Sequence, residues 1–276
     1  MSPSTIVSGA ASGIGRQTAI ALVREGHRVA LTDINERGLD QLLREQGWTG
    51  RDDVMTYVLD ARDAAGWHAL VQRTVERFGS LDNMLNVAGY LSAGNVIDLD
   101  VAEIDKHIDI NVKGVMYATH AGARQMSTQR QGHILNVASI AGISHVPGLA
   151  AYCASKHAVR GFSLSVAHEL RKHGVQVTVF CPDAVETPML VQQQDRPEAA
   201  MTFGGRRPLS LNEVERAILR AMRERPLELL VDVPGTGRAF GARLANMFPK
   251  LTALAEERIR AQGEKAQARR MAQARR

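Results

Sequence analysis

The chain has 276 residues, of which 45% are hydrophobic, so it is long enough for one large α/β domain with a substantial core. Its net charge is +5, but residues 258–276 hold seven Lys or Arg and one Glu, so the remainder carries about −1. This distribution argues against a nucleic-acid-binding surface on the domain, and the basic tail has no aromatic residues for stacking on bases. We expect no nucleic-acid partner.

The cysteines and the hydropathy exclude further classes of protein. Cys153 and Cys181 lack the paired spacing of a disulfide framework or a zinc site, so we expect buried free thiols, no metal and a cytoplasmic location. The N-terminal residues lack the basic and apolar regions of a signal peptide. No apolar run reaches the ~18 residues of a transmembrane helix.

Short apolar segments alternate along the chain with segments of helical periodicity. The predicted strands are 5–7, 28–32, 54–59, 83–87, 133–137, 176–180 and 227–231. The predicted helices are 13–25, 36–46, 64–78, 101–125, 152–173 and 211–223. Strict alternation with apolar strands predicts a doubly wound, Rossmann-type α/β fold, with a parallel sheet of about seven strands and helices on both faces. We assign residues 1–233 to this single domain.

Two segments do not follow this alternation. Residues 189–209 are polar and without periodicity, which is typical of a lid that covers an active site or of a disordered loop; this segment is called the lid below. Residues 234–276 form a C-terminal extension in which Pro249 is expected to separate two helices. The extension carries apolar residues at roughly helical spacing, namely Phe240, Leu244, Met247, Phe248, Leu251 and Leu254.

The extension allows two interpretations. Its apolar residues could pack on the domain or on a partner subunit, which is the favoured one. Alternatively, they could lie in a membrane interface, with basic residues drawn to anionic lipid. We expect residues 258–276 to form a solvated helical or frayed end.

A glycine-rich turn lies between the first strand and the first helix. It begins at Ser8 and reads Ser-Gly-Ala-Ala-Ser-Gly-Ile-Gly. Glycine lets the backbone approach a pyrophosphate, and the N-terminus of a helix presents free N–H groups to it. The position between strand and helix predicts a dinucleotide site rather than an ordinary glycine-rich turn. The residues expected to contact the dinucleotide here are Gly9, Ser12, Gly13, Ile14 and Gly15.

Asp33 ends the second strand, 18 residues after Gly15. A carboxylate there can accept hydrogen bonds from ribose hydroxyls and would repel a 2′-phosphate, so NAD is favoured over NADP. Arg16 and Arg37 leave the alternative open, because either could reach a phosphate. Asp33 could also act as a turn or helix-capping carboxylate, which is compatible with binding ribose.

Candidate catalytic residues follow the later strands. Tyr152 and Lys156 are four residues apart in a helical pattern and therefore share one face of the helix. Ser139 follows the fifth strand, and Asn111 lies in the long helix before it. Ligands of parallel sheets bind at the carboxyl ends of the strands, so Ser139 is expected at the site.

In these motifs and their order, the chain resembles the short-chain dehydrogenase/reductase family over about residues 4–190. The turn from Ser8 resembles the family's cofactor motif, with serine in place of threonine. Residues 86–89 resemble its Asn-Asn-Ala-Gly motif with Val87 in place of the second asparagine, and residues 182–187 resemble the segment that holds the nicotinamide. The further cofactor contacts that the resemblance implies are Asp60, Ala61, Asn86, Ala88, Gly89, Tyr152, Lys156, Pro182, Val185 and Thr187.

The resemblance implies an NAD-dependent oxidoreductase that interconverts a secondary alcohol and a ketone. Tyr152 would be the general acid and base, and the nearby Lys156 ammonium would lower its pKa. Ser139 would donate a hydrogen bond to the substrate oxygen. Asn111 would hold a water that links Lys156 to solvent. The family's assemblies suggest a homodimer or homotetramer formed through the helices predicted over 101–125 and 152–173. The alternative is a non-catalytic dinucleotide-binding sensor or a membrane-associated scaffold.

The substrate is expected to be mostly apolar. The predicted cavity walls are residues 90–95, 140–149, Asp183 and the lid, which together contain Leu91, Ile143, Val146, Pro147, Leu149 and Met189. His145 is the polar exception, which could contact the substrate, although exposure to water is favoured. Asp183 stands where the family usually has glycine, and it could repel acidic substrates, bind a polar group or point to solvent, the last being favoured.

Overall fold

The structure is a computed structural model that describes residues 2–247 and 249–274. Its seven strands are β1 Ser4–Ser8, β2 Arg28–Asp33, β3 Val54–Val58, β4 Asn83–Asn86, β5 Gly132–Val137, β6 Val175–Pro182 and β7 Glu228–Val231. All are parallel, in the order β3-β2-β1-β4-β5-β6-β7. The winding direction reverses between β1 and β4, so a cleft opens there at the carboxyl ends of the strands. The predicted fold is confirmed.

Helices cover both faces of the sheet. They are α1 Gly13–Arg24, α2 Glu36–Glu45, α3 Ala64–Phe78, α4 Val101–Lys106, α5 Gly114–Gln129, α6 Ala150–Leu170, α7 Pro188–Val191, α8 Leu211–Glu224, α9 Arg238–Met247 and α10 Pro249–Ala274. One core cluster unites Leu22 of α1 with Ile218 of α8, and another unites Trp67 of α3 with Met126 of α5. Each cluster fills one side of the sheet, which is why the strands are apolar on both faces.

The long helix predicted over 101–125 is not continuous. A π-helical turn, His107–Lys113, joins α4 to α5, and Asn111 lies within it. Periodicity does not reveal such a turn, because one extra residue leaves the apolar pattern on either side intact. π-helical turns often lie at functional sites.

The segment predicted as an irregular lid contains two short helices. Thr187 caps α7, because its hydroxyl accepts a hydrogen bond from the backbone N–H of Leu190 at 3.3 Å. A 3-10 helix, Pro197–Phe203, follows and buries Ala199 and Phe203. The lid is therefore held by local capping and by packing.

The end expected to be solvated and helical or frayed is helical and mostly exposed, but one face of α10 packs on this 3-10 helix. A Cβ on Gly263 would lie 1.9 Å from the carbonyl oxygen of Ala200, so the backbones are in close contact. Gln267 is buried, and its side-chain amide donates to the carbonyl oxygens of Gln193 and Arg196 at 3.2 and 2.8 Å. Pro249 begins α10, as the separation of two helices requires. Arg275 and Arg276 lie outside the described residues.

The large apolar residues of α9 do not pack on the domain, which was one of the two surfaces expected to cover them. Phe240 and Met247 are both 67% exposed, and Leu244 is also exposed. The small residues Ala239 and Ala242 pack on the core instead. Phe248 and the side chains of Leu251 and Leu254 lie outside the described residues, so contact with a partner or a membrane stays a prediction.

Two expectations from composition can be compared with the structure. Cys153 and Cys181 are both buried free thiols, as predicted. Among the residues described, no helix combines the length and apolarity that crossing a membrane requires.

The close contact at Gly263 gives a test of how α10 is held. Gly263→Ala should weaken the docking of α10 by about 1–3 kcal/mol, because the added methyl group has no space beside Ala200. Hydrogen exchange should become faster in residues 197–203. Gly161→Ala, within helix α6, is the matched control, because its added Cβ would meet no atom within 4 Å. This variant should raise the free energy of unfolding by about 0.5–1 kcal/mol. Unchanged exchange in the Gly263 variant would contradict the packing described.

Candidate active site

The turn between β1 and α1 requires glycine at three positions. Gly9 and Gly13 have left-handed φ angles of 66° and 51°. A Cβ on Gly15 would lie 2.2 Å from the carbonyl oxygen of Gly9, so α1 begins directly against the turn. The free N–H groups of its first turn and the positive end of its dipole are therefore available at the cleft. This geometry fits a pyrophosphate.

A cavity of about 360 Å³ runs along this edge of the sheet. It is lined by most of the residues predicted to contact the dinucleotide, namely Gly9, Ser12, Gly13, Ile14, Gly15, Asp33, Asp60, Ala61, Ala88, Gly89 and Thr187. Four further predicted contacts, Tyr152, Lys156, Pro182 and Val185, line a second cavity of about 180 Å³. Residues common to both cavities include Val87, Gly89 and Met189, so the two cavities adjoin.

Asn86 does not line either cavity, which differs from the expectation of a direct contact. Its side-chain amide donates to Asn136 Oδ1 at 2.7 Å, and Asn136 Nδ2 donates to Ser163 Oγ at 2.9 Å. Thr119 Oγ1 donates to the same Asn136 oxygen at 3.2 Å. This buried network joins β4 and β5 to α5 and α6. Asn86 thus helps to fix the relative positions of these strands and helices, which carry residues of the site.

Asp33 lines the first cavity at the end of β2. Its carboxylate accepts hydrogen bonds from the backbone N–H groups of Ala11 at 3.0 Å and Asn35 at 2.9 Å. The turn-capping role is therefore real, and it holds the carboxylate at the cleft. Arg16 forms an ion pair with Glu45. Neither Arg16 nor Arg37 is among the residues that line the cavity.

Asp60 is held by the residue two positions later. Its carboxylate accepts from Arg62 Nη2 at 2.6 Å and from the backbone N–H of Arg62 at 2.9 Å. Arg62 hydrogen bonding holds the pKa of Asp60 below its usual value. Asp60 and Arg62 both line the first cavity, where the carboxylate of one is paired with the guanidinium of the other.

Ser139, Tyr152 and Lys156 meet at the wall of the second cavity. Tyr152 and Lys156 lie one turn apart on α6, and the Lys156 ammonium lies 5.6 Å from the centre of the Tyr152 ring. Lys156 Nζ donates to the carbonyl oxygen of Val137 at 3.0 Å. The Ser139 hydroxyl donates to the carbonyl oxygen of Pro182 at 3.4 Å. A phenol, a hydroxyl and an ammonium thus surround one small space.

The protein alone does not lower the pKa of Tyr152. Burial raises the pKa of Tyr152 to about 12, and hydrogen bonding with Ser139 opposes this only in part. Burial also lowers the pKa of Lys156 to about 8. Removal from water disfavours the charged form of each group, so the phenolate requires further positive charge at the site.

Asn111 lies beneath this group rather than in the cavity. Its Nδ2 donates to the carbonyl oxygen of Tyr90 at 2.9 Å and to Ser155 Oγ at 3.0 Å, while its Oδ1 accepts from the Tyr90 N–H at 2.7 Å. A Cβ on Gly89 would lie 3.4 Å from this Oδ1 and 3.6 Å from Lys156 Nζ. The side chain of Asn111 therefore ties the loop after β4 to α6.

The second cavity has a mostly apolar wall. The expected residues Leu91, Val146, Leu149 and Met189 line it. Ile143 does not, because it packs into the core with 3% exposure. Pro147 is also absent from the lining, and His145 is exposed as expected and is not among the lining residues.

Asp183 does not point to solvent, which corrects the favoured expectation. Its side chain is 11% exposed, and its Oδ2 lies 2.7 Å from Arg238 Nε. Burial raises the pKa of this carboxyl, and the Arg238 charge opposes the change. Both residues line the second cavity.

Sequence reasoning missed several residues at the site. Ser8 Oγ accepts hydrogen bonds from the N–H groups of Val87 and Ala88 at 3.0 and 3.1 Å, and so joins the ends of β1 and β4. Its position in the glycine-rich motif was the available signal. Gln193 lines the second cavity from the lid, which was predicted as a cavity wall, whereas Arg238 lines it from the extension, where no wall residue was predicted. No local pattern marks Arg238 as a cavity residue.

Known proteins with similar sequences or structures point to one family. The short chain dehydrogenase family matches residues 4–198. Levodione reductase of Leifsonia aquatica is 34% identical over 187 residues, which cover 67% of this chain and 70% of that protein.

Solved structures agree. A short chain dehydrogenase/reductase from Burkholderia phymatum in complex with NAD superposes with a TM-score of 0.79 at 25% identity, covering 91% of this chain and 95% of that one. A variant of actinorhodin polyketide ketoreductase with NADPH superposes with a TM-score of 0.76 at 30% identity, covering 83% and 95%. With the sheet order and the glycine turn described above, these matches show that the chain belongs to the short-chain dehydrogenase/reductase family of nicotinamide-dinucleotide-dependent oxidoreductases.

Proposed function

We propose that the protein is an NAD(H)-dependent oxidoreductase that interconverts a secondary alcohol and a ketone on a mostly apolar substrate. The main support is the meeting of Ser139, Tyr152 and Lys156 at a small cavity that adjoins the glycine-lined cleft. A non-catalytic sensor or scaffold would have no use for a phenol beside an ammonium at that place. No observation favours that alternative.

The proposed chemistry assigns each side chain a step. The nicotinamide ring, when bound, supplies the hydride acceptor or donor. In oxidation, Tyr152 Oη takes the proton of the substrate hydroxyl, and in reduction it returns a proton to the carbonyl oxygen. Ser139 donates a hydrogen bond to the same oxygen and stabilises its developing charge. The Lys156 ammonium stabilises the phenolate form of Tyr152.

Asp33 supports NAD as the preferred cofactor. Its carboxylate is held at the cleft by two backbone N–H groups, where it can accept from ribose hydroxyls and repel a 2′-phosphate. The arginine in the cavity lining, Arg62, is paired with Asp60. Family membership alone leaves the choice open, because the similar structures include complexes with NAD and with NADPH.

A homodimer or homotetramer remains part of the proposal. The predicted interface helices correspond to α4, α5 and α6. The exposed side chain of Val101 at the start of α4 is consistent with a contact there. Sedimentation of the purified protein would determine the number of subunits.

The acid/base role of Tyr152 is tested by removing only its hydroxyl. Tyr152→Phe should leave the Kd for NADH unchanged and lower kcat by about 10²–10⁴-fold, because the proton then has no positioned carrier. Fluorescence titration and turnover of a panel of secondary alcohols measure the two quantities. Tyr57→Phe, on β3 and outside both cavities, is the matched control. Substantial activity in the Tyr152 variant would refute the assignment.

The buried Lys156 gives a prediction about pH. Because its pKa lies at about 8, raising the pH through this value removes its charge and should slow ketone reduction. The kcat/KM for reduction, measured against pH, should therefore fall above about 8. The Lys156→Met variant should be slow throughout and lack this fall. A variant with the parent's pH profile would show that another group is titrating.

The cofactor preference is tested at Asp33. Asp33→Asn keeps an oxygen that can accept from Ala11 but removes the charge, so the NAD to NADP ratio of kcat/KM should fall by roughly tenfold. Asp40→Asn, an exposed residue on α2, is the control and should keep the parent's ratio. If both variants keep that ratio, Asp33 does not select the cofactor.

A further inference from the structure

The C-terminal extension brings a charged residue to the substrate cavity. Arg238 is the first residue of α9, and its side chain lines the second cavity together with Asp183. Asp183 follows Pro182, whose carbonyl oxygen accepts the hydrogen bond of Ser139. Asp183 is therefore the next residue in the chain after the one that Ser139 contacts.

The backbone at Arg238 is firmly held. Asp232 Oδ2 accepts from the N–H of Ala239 at 3.0 Å and from Thr236 Oγ1 at 3.2 Å. This carboxylate is well placed at the positive end of the α9 dipole. One turn later, Ala242 is buried in the core at 7% exposure. The start of α9 thus has a fixed position relative to the sheet.

Arg238 uses only part of its hydrogen-bonding capacity. Its Nε lies against Asp183, while its two Nη groups meet no acceptor among the described residues. A guanidinium carries five N–H donors in one plane. A Cβ on Gly205 would lie 2.6 Å from Nη1, so glycine at that position leaves space for the group. Asp183 and Arg238 line both the second cavity and a third one of about 210 Å³ that Gly205 also lines, so the Nη donors lie where these two cavities adjoin.

The charge of the pair limits what these donors can bind. The positive charge of Arg238 is balanced by the nearly buried carboxylate of Asp183. A substrate carboxylate would add a net negative charge beside the nearly buried Asp183 carboxylate, which is costly. An uncharged carbonyl or hydroxyl oxygen would accept the hydrogen bonds without that cost.

We propose that Arg238 is a specificity-determining residue whose Nη groups bind a second, uncharged oxygen of the substrate. Asp183 is its positioning residue, which holds the guanidinium by one edge and balances its charge. The substrate would then be an apolar ketone or alcohol that carries another carbonyl or hydroxyl group. This inference rests on the proposed function and gives the extension a part in the site.

The test compares three kinds of ketone as substrates with NADH: cyclohexanone, ring diones with the second carbonyl at different spacings, and a ring ketone that bears a carboxylate. The parent should prefer at least one dione to cyclohexanone in kcat/KM. In the double variant Asp183→Gly with Arg238→Met, which leaves no buried charge unpaired, this preference should fall about 10- to 100-fold. Arg243→Met is the matched control, because this arginine lies on the same helix, pairs with Glu228 and lines neither cavity.

Each outcome has a distinct meaning. An unchanged dione preference in the double variant would overturn the role of Arg238. If the double variant instead loses the most kcat/KM on the ketone that bears a carboxylate, the proposal that Arg238 binds an uncharged oxygen is overturned. Absence of turnover on every ketone would count against the proposed function instead. In that case, binding is measured as the rise in Tm that a dione causes in the NADH-loaded protein. A smaller rise in the double variant than in the Arg243 control would still support the binding role of Arg238. An equal rise in the two variants would overturn it.

Discussion

Parallel pairing of β1 with both β2 and β4 is the constraint on which the site depends. Because the chain winds away from β1 in both directions, no crossover covers the carboxyl ends of β1 and β4, and a cleft must open between them. The glycine turn enters this cleft, and Ser8 fixes its far side through the N–H groups of Val87 and Ala88. The proposed dinucleotide contacts that line the first cavity therefore lie along this cleft.

A buried polar network transmits this arrangement to the proposed reaction centre. Asn86, Thr119, Asn136 and Ser163 connect β4 and β5 to α5 and α6 by hydrogen bonds inside the core. Such groups are costly to bury unless they are paired, so the network specifies one relative position of these elements. Since α6 carries Tyr152 and Lys156, their position relative to the cleft is determined largely by side chains that never touch a ligand.

The substrate side of the site is assembled from distant parts of the chain. Gln193 accepts from the N–H of Ala93 at 3.2 Å, which joins the lid to the loop after β4. Gln267 of α10 in turn holds the backbone of Gln193. Arg270 forms an ion pair at 2.6 Å with Glu186, which lies within the segment proposed to hold the nicotinamide. The extension therefore supports the lid and lines the cavity, two properties that a family motif does not describe.

The sequence by itself determined the alternation of strands and helices, the glycine turn at Gly15 and the spacing of Tyr152 and Lys156, because these depend on neighbours within one or two turns of chain. Only the tertiary structure decided that Asn86 is internal, that a π-helical turn holds Asn111, and that Asp183 pairs with Arg238. These outcomes depend on contacts between residues far apart in sequence. A buried charge needs an oppositely charged partner close to it in the fold, and the local periodicity of the sequence does not identify that partner.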